Sequence, residues 1–101
     1  MWQIKIHPLV LKEDFKNIDP SRQRILLKAV QKKLTLDPQA YGKPLTGEFA
    51  GYWRLRVEDY RVIYRILQDR IVVLVVKVGI RKDDQIYQEF FARLKRISIE
   101  K

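Results

Sequence analysis

The sequence predicts an α+β protein with the element order β-α-α-β-β-β-α, and two repeating patterns carry this prediction. Apolar and polar residues alternate over 2–7, 52–57 and 60–68, as in strands with one buried face. Apolar residues recur at every third or fourth position over 11–34 and again after residue 85, as in amphipathic helices. An antiparallel meander, with two N-terminal helices on one face and a C-terminal helix after it, satisfies both patterns.

The first half of the chain reads as one strand and two helices. The opening strand covers residues 2–7 and ends before a proline, and a first helix is expected from about residue 11 to Asn17. Asp19 has the character of an N-cap and is followed by a proline, so a second helix is expected from there to about Thr35. Residues 39–50 are predicted to be an irregular loop, because glycine and proline interrupt them repeatedly.

The second half reads as a meander of three strands with two-residue turns. The turns are expected at Glu58-Asp59 and Asp69-Arg70, which places the strands at 52–57, 60–68 and 71–78. The third of these is almost wholly apolar, as in a strand covered on both faces. Gly79 is expected to end it, and the last helix should begin near a cap at Asp83 or Asp84.

Arginines gather on one face of this meander. The turns pair Arg56 directly with Arg61 and place Arg61 opposite Val78, and the alternation adds Tyr52, Arg54 and Arg65 to the same face. Like charges repel when they lie side by side, so the pairing indicates a site for an anion. Arg81 and Lys82 follow the third strand at the same end, and Tyr87 lies on the last helix.

Guanidinium groups bind phosphate oxygens in a bidentate manner and stay charged at every working pH. These arginines therefore fit a phosphodiester backbone, and tyrosines beside them offer platforms on which bases stack. The alternative is that the arginines form a solvated sheet face. Arg65 is the weakest member of the group, because its position is the farthest from Arg81 and its stem has apolar surface to cover.

Composition narrows the class of partner. We expect one domain over residues 1–101, with a net charge of +9, which favours nucleic acid as the partner over an acidic protein or an anionic membrane. The chain has no cysteine and one histidine, which excludes thiolate chemistry and leaves little for a metal cluster or a catalytic triad. We therefore expect neither a metal nor a cofactor.

The sequence predicts a soluble cytoplasmic protein. Its N-terminus has no signal-peptide pattern, and its longest aliphatic run covers only residues 71–76, which is too short to span a bilayer.

The stretch from Leu45 to Arg81 resembles the RelE/ParE superfamily of bacterial and archaeal type II toxins. The most specific segments are YWRLRVEDYRVIY, which begins at Tyr52, and VGIR, which ends at Arg81 and is followed by Tyr87 on the last helix. The predicted element order agrees with this superfamily over essentially the whole chain. The likeness to the RelE branch implies a RelE-like fold of the microbial-RNase type.

The resemblance also implies an activity. It is that of the toxin of a type II toxin-antitoxin system, a metal-independent and ribosome-dependent mRNA endonuclease that cleaves mRNA in the A site and inhibits translation. The ribose 2′-hydroxyl would attack the adjacent phosphate and leave a 2′,3′-cyclic phosphate and a 5′-hydroxyl. The catalytic positions that carry over are Arg61, Arg81, Tyr87 and Arg54, and the RNA-binding positions are Arg56, Tyr52, Arg65 and Lys82. The implied partners are a RelB-like antitoxin, the ribosome and mRNA, with operator DNA only through the antitoxin and no membrane.

The chain departs from the RelE pattern at one strand. RelE enzymes commonly have two lysines where this sequence has Tyr52 and Arg54. Arginine keeps the charge but is a poor general base, because its pKa lies above about 12. The base is therefore open between Tyr87, Glu48 and a ribosomal RNA group. Two other functions also stay open: a ParE-like toxin that inhibits DNA gyrase without cutting RNA, and an inactive relative that only binds RNA.

Overall fold

A five-stranded sheet carries the fold. The computed structural model describes residues 1–80 and 85–97. The strands are β1 (Gln3–Ile6), β2 (Lys43–Pro44), β3 (Tyr52–Val57), β4 (Tyr60–Leu67) and β5 (Val72–Ile80), and they lie in the order β1-β5-β4-β3-β2. β1 pairs in parallel with β5, and the other neighbours are antiparallel, which confirms the α+β class and the meander. The expectations for Arg81, Lys82 and a cap at Asp83 or Asp84 fall outside the described residues.

Three α-helices accompany the sheet: α1 (Pro20–Leu34), α2 (Pro38–Tyr41) and α3 (Gln85–Arg93). The first predicted helix is irregular, with a π-helical turn over Val10–Asp14 and a 3₁₀ turn over Phe15–Asn17. It ends at Asn17 as predicted, and its last π-helical residue, Asp14, is buried. None of the helices within the described ranges has the length and apolar character needed to cross a bilayer.

Two local predictions in the N-terminal half were incomplete. Asp19 lies at the N-cap of α1, but its side chain accepts a hydrogen bond from the Ser21 hydroxyl instead of from the helix backbone. Residues 39–50 are not one irregular loop, because they contain the end of α2, strand β2 and a 3₁₀ turn over Gly47–Phe49. The start signal for α2 is Asp37, whose carboxylate accepts a hydrogen bond from Ala40 N at 3.0 Å.

Each face of the sheet is covered by its own apolar core. On one face, α1 and the irregular helical segment pack against alternate residues of β3, β4 and β5, and this core includes Leu26, Val30, Leu34, Leu55, Val62, Tyr64, Val73 and Val75. On the other face, α3 packs through Ile86 and Phe90 against Ile63 and Val76, with Phe49 and Tyr52 at the margin. The face that carries α3 is therefore the one from which the arginines of β3 and β4 project.

A β-bulge shifts the pairing of the two central strands. The turn after β3 is as predicted, so Arg56 pairs with Arg61. Between β4 and β5 the register follows the prediction from Leu67 to Tyr64 and then shifts by one residue. Arg61 consequently faces Gly79 instead of Val78, and Gly79 does not end the strand, which continues to Ile80. The shift arises because β5 contains one residue more than its partner, a common means of redirecting the residues beyond it.

A buried ionic cluster fixes α3 beside this bulge. The Asp14 carboxylate accepts both Arg93 Nη atoms at 2.7 Å, Lys77 Nζ at 2.9 Å and Val78 N at 2.8 Å. Arg93 also donates to Val76 O at 3.1 Å, and Lys77 reaches Glu89 Oε1 at 3.0 Å. Because the cluster joins the irregular helical segment, β5 and α3, it sets the position of α3 over the arginine-bearing face.

Candidate functional site

Arginines of two adjacent strands share one sheet face, as the alternation predicts. Arg54 and Arg56 lie on β3, and Arg61 and Arg65 lie on β4. Arg56 is paired with Arg61, and Arg54 is paired with Ile63, which belongs to the core under α3. Arg56 is exposed, whereas the other three are half-buried. The sheet thus presents its guanidinium groups along the flank of α3.

Arg61 is bound to the last helix through Tyr87. Its Nη1 donates to the Tyr87 hydroxyl at 3.2 Å, and its Cζ lies 5.5 Å from the centroid of the Tyr87 ring. Ile86 and Phe90 are buried against the sheet, which leaves the intervening Tyr87 half-buried at the helix margin. The structure therefore brings together two of the residues for which the sequence predicts a catalytic role, while the role itself stays a prediction.

A second arginine–tyrosine pair lies farther along the same strands. Arg65 Cζ is 5.8 Å from the centroid of the Tyr52 ring, and Tyr52 meets Phe90 edge-on with ring centroids 4.9 Å apart. Tyr52 is thus a packing residue at the edge of the core as well as a platform under a cation. Arg65 lies four residues along β4 from Arg61, which corresponds to about 13 Å.

The half-buried guanidinium groups keep unused hydrogen-bonding capacity. Within residues 1–80 and 85–97, the buried Nε atoms of Arg54 and Arg61 have no hydrogen-bond partner. Over the same ranges, no Asp or Glu side chain forms an ion pair with Arg54, Arg61 or Arg65. A buried donor without a partner costs about 1–3 kcal/mol, so such groups are typical of functional sites that await a ligand.

An aromatic pocket lies beside Tyr87. It has a volume of about 310 Å³ and is lined by Glu48, Phe49, Tyr87, Gln88 and Phe91. The sequence predicts only Tyr87 as a site residue here and offers Glu48 as one candidate base. The other lining residues were missed. The spacing of Tyr87 and Phe91, four residues apart on a helix with a different buried stripe, is the signal that would have found the second ring.

The single histidine lies away from this site. His7 Nδ1 accepts a hydrogen bond from Leu9 N at 3.1 Å, and burial together with the charge of Arg93 lowers the His7 pKa. It therefore acts as a structural acceptor at the end of β1. In the part of the chain that the structure describes, no group of three His, Cys, Asp or Glu side chains is placed to hold a metal ion.

Comparison with known proteins gives the family. A family model described as the ParE toxin of the type II toxin-antitoxin system parDE matches residues 4–85. The chain belongs to the RelE/ParE superfamily of type II toxins. This membership agrees with the resemblance seen in the stretch from Leu45 to Arg81.

Curated relatives of this toxin match it over part of their length. The mRNA interferase toxin RelE of Escherichia coli is 34% identical over 41 residues, which cover 41% of this chain and 43% of the relative. Toxin RelG of Mycobacterium tuberculosis is 38% identical over 50 residues, which cover 50% of this chain and 58% of the relative. The toxin thus spans about half the length of the curated relatives that it matches.

Solved structures of relatives confirm the RelE-like fold. The toxin-antitoxin complex RelBE2 of M. tuberculosis contains a chain that matches with a TM-score of 0.74 and 25% identity, over 79% of this toxin and 98% of that chain. The isolated RelE toxin of E. coli matches with a TM-score of 0.64 and 18% identity, over 93% of this toxin and 99% of that chain. At this level of identity the second likeness concerns the fold alone.

Proposed function

We propose that this toxin is an mRNA endonuclease that cleaves mRNA in the ribosomal A site and thereby inhibits translation. The observation that carries the proposal is the contact of Arg61 with Tyr87, next to Arg54 and Arg56, with two buried Nε donors that have no partner within the described residues. This arrangement suits a phosphate better than a solvated surface, because the donors are already desolvated and oriented. The name mRNA interferase, which the E. coli relative carries, supports the same activity.

The proposed chemistry is a transesterification within the RNA chain. The ribose 2′-oxygen forms a bond to the adjacent phosphorus as its proton passes to a general base, for which Tyr87, Glu48 and a ribosomal RNA group are the candidates. The bond from phosphorus to the 5′-oxygen breaks. The products are a 2′,3′-cyclic phosphate and a 5′-hydroxyl, which takes up a proton. Preorganised cations stabilise the negative charge that develops on the phosphate, and in such reactions this electrostatic stabilisation commonly lowers the barrier more than any other effect.

The residues are proposed to fall into three roles. Arg61 and Arg81 stabilise the pentavalent phosphorus, Arg54 and Arg56 hold the backbone, and Tyr87 orients the nucleotide. Tyr52, Arg65 and Lys82 make outer RNA contacts. Because arginine stays protonated at working pH, it serves here as a source of charge and not as a base.

The proposed protein partner is a RelB-like antitoxin that covers the cationic surface. Solved relatives support this partner, since they include RelBE toxin-antitoxin complexes of M. tuberculosis and E. coli. A net charge of +9 fits an acidic segment in that antitoxin. Contact with operator DNA is expected only through the antitoxin, and the ribosome and mRNA are the partners of the free toxin.

Substitution of Arg61 tests the activity. The assay is cleavage of mRNA on stalled ribosomes, with transcript ends mapped for the wild type, Arg61→Ala and Arg81→Ala. Loss of one oriented donor is expected to slow cleavage about 10²–10³-fold. Arg24→Ala is the matched control, because it removes the same charge from the exposed surface of α1. Full cleavage by Arg61→Ala would overturn the site assignment.

A ParE-like activity, inhibition of DNA gyrase without RNA cleavage, is the second candidate, because the matching family model is described as a ParE toxin. Inducible expression in bacteria separates the two candidates. Cuts inside translated codons and rapid arrest of translation support the endonuclease. Relaxed plasmid and induced DNA damage, with intact transcripts, support the gyrase inhibitor.

A further inference from the structure

We infer that the pocket between Phe49 and α3 binds one nucleobase of the RNA and reads its identity, immediately beside the phosphate that Arg61 contacts. This inference rests on the proposed endonuclease function and adds a specificity site to it. The pocket has a volume of about 310 Å³ and lies on the flank of α3 that carries Tyr87 and Phe91. A nucleobase is flat and has hydrogen-bonding groups on its edge, and the pocket offers partners for both features.

The walls of the pocket are aromatic. Phe49 lies 6.0 Å from Tyr87 and 6.4 Å from Phe91, measured between ring centroids, and it meets Phe91 edge-on at 82°. Phe91 is 47% exposed, whereas its neighbour Phe90 on the same helix is buried in the core. Such exposure is unusual for a phenylalanine. Exposed rings on which bases stack are the common feature of proteins that bind single-stranded nucleic acid.

Cations lie at both ends of this aromatic row. Arg61 stacks against Tyr87 at 5.5 Å, and Lys95 Nζ lies 6.0 Å from the Phe91 centroid. Tyr87 and Phe91 are four residues apart on α3, so they are offset by about 6 Å along the helix axis. Along this row a cation is followed by two rings and a second cation. In a nucleotide strand each base lies between two phosphates, so the cations match the phosphates and the rings match the base. The two cations distinguish the pocket from a purely apolar contact surface.

The rim of the pocket carries two groups able to read a base edge. Glu48 is exposed and, when ionised, only accepts hydrogen bonds, whereas the Gln88 amide both donates and accepts. Adenine, cytosine and guanine each carry an exocyclic amino group that donates, and uracil carries carbonyl oxygens in the corresponding positions. The carboxylate of Glu48 is therefore expected to favour a base with an amino group over uracil.

The wall that holds Glu48 and Phe49 is fixed by its backbone. Gly47 and Gly51 have φ values of +63° and +98°, which bracket the turn in a conformation that other residues rarely adopt. Leu45 N donates to Tyr52 O at 2.9 Å, which ties the start of this segment to β3. A preorganised wall spares the ordering cost that a mobile loop pays on binding.

Ribosomes programmed with codons that differ in one base provide the test. The readout is the cleavage rate at each codon for the wild type, Phe91→Ala, Phe91→Trp and Glu48→Gln. Phe91→Ala is expected to slow cleavage about 5- to 150-fold, the range for loss of one stacked base, while Phe91→Trp keeps a ring and a rate near that of the wild type. Glu48→Gln is expected to reduce discrimination against uracil at one codon position. Ile25→Ala is the matched control, because Ile25 is similarly exposed at 42% on α1, across the sheet from the pocket.

A second measurement keeps the pocket testable if the wild type cleaves no RNA, an outcome that contradicts the proposed function alone. It is the affinity of the free toxin for a fluorescent 2′-O-methyl trinucleotide, which has no nucleophile. Weaker binding by Phe91→Ala, restored in Phe91→Trp, supports the pocket; equal binding overturns it. The base pocket is also overturned if the relative cleavage rates at the different codons are unchanged in both Phe91→Ala and Glu48→Gln. It is overturned as well if these substitutions weaken binding of the antitoxin and change nothing else. Uniform loss of cleavage at all codons in Glu48→Gln would make Glu48 the general base and end its reading role.

Discussion

Removal of the Asp14 carboxylate is expected to be one of the most destabilising single changes in this toxin. The Asp14 side chain is 2% exposed and lies between Arg93 and Lys77, whose side chains are 4% and 8% exposed. Asp14→Ala deletes four hydrogen bonds at once and leaves two buried cations and one backbone N–H with fewer partners. Breaking a buried ion pair from one side typically costs about 3–5 kcal/mol.

The remaining contacts place the expected loss near the lower end of that range. Lys77 keeps Glu89 at 3.0 Å, and Arg93 keeps Val76 O at 3.1 Å and Glu13 at 3.4 Å. We therefore expect a decrease of about 3 kcal/mol in the free energy of unfolding. Against a total of about 5–15 kcal/mol for a domain of this size, such a decrease removes a large share of the stability.

Urea unfolding of the wild type and Asp14→Ala, monitored by circular dichroism, measures the difference. Glu58→Ala is the control, because Glu58 pairs with Arg22 at 3.3 Å while 52% of its side chain is exposed, and an exposed pair contributes about 0–1 kcal/mol. If Asp14→Ala lost no more stability than Glu58→Ala, then the cluster would neither hold α3 to the sheet nor position Tyr87.

Three further predictions concern Tyr64 and Glu89. A Cβ at Gly42 would lie 1.9 Å from Tyr64 Oη, so Gly42→Ala should lower the free energy of unfolding by about 1–3 kcal/mol. The loss should be smaller in a Tyr64→Phe background, and equal losses in a double-mutant cycle would contradict the clash. Burial and the nearby charge of Asp37 raise the pKa of Tyr64, so its unfolded form loses a proton first and stability falls above pH 10. Between pH 9 and 11 the free energy of unfolding of the wild type should fall by about 1.4 kcal/mol more than that of Tyr64→Phe. If urea unfolding showed the same pH dependence of stability for both proteins, the raised pKa of Tyr64 would be excluded. Burial raises the pKa of Glu89, but hydrogen bonds from Lys77 and Gln85 outweigh it, and the net shift is downward. Glu89 therefore stabilises the fold above its unfolded pKa of about 4, and this contribution is lost as the pH falls through the pKa of the folded state. Glu89→Gln should accordingly be less stable than the wild type at pH 7 and should match the stability of the wild type near pH 3.

The alternating strands were predictable because each has one buried face. Along β3, Leu55 and Val57 are buried while Arg56 is exposed, so a period of two fixes both the strand and its orientation. The turn at Glu58-Asp59 then determines that Arg56 meets Arg61. The arginine-bearing face follows from these local rules alone, which is why the sequence predicts it correctly.

The bulge was not predictable from the same rules. β5 is apolar on both faces, so an extra residue at Val76 leaves no break in its pattern. Its one polar side chain, Lys77, was the available signal, yet its partner Asp14 is 63 residues away in the sequence. The Asp14–Arg93 pair spans 79 residues, and periodicity carries no information about contacts of that range.

The missed elements near the arginines have another physical cause. In the sequence, Gly42 and Pro44 resemble residues that interrupt secondary structure. In the structure, Gly42 leaves room for the Tyr64 hydroxyl, which donates to Pro38 O at 2.5 Å, and Pro44 is suited to an edge strand. The aromatic pocket depends on the placement of Phe49 over α3, which is a tertiary contact. The charged half of the site was therefore accessible from the sequence, and the half formed by the loop was not.

The bulge and the ionic cluster together determine where Arg61 meets Tyr87. At the bulge, Val76 O and Val78 N are bound by the side chains of Arg93 and Asp14, so the irregular backbone is satisfied from outside the strand ladder. The resulting register sets Arg61 opposite Gly79. A Cβ at Gly79 would lie 3.3 Å from Ile86, so the glycine permits Ile86 to pack closely on the strand. Since Tyr87 follows Ile86 directly, this close packing brings its hydroxyl within hydrogen-bonding distance of Arg61, and the core under α3 thereby shapes the candidate site.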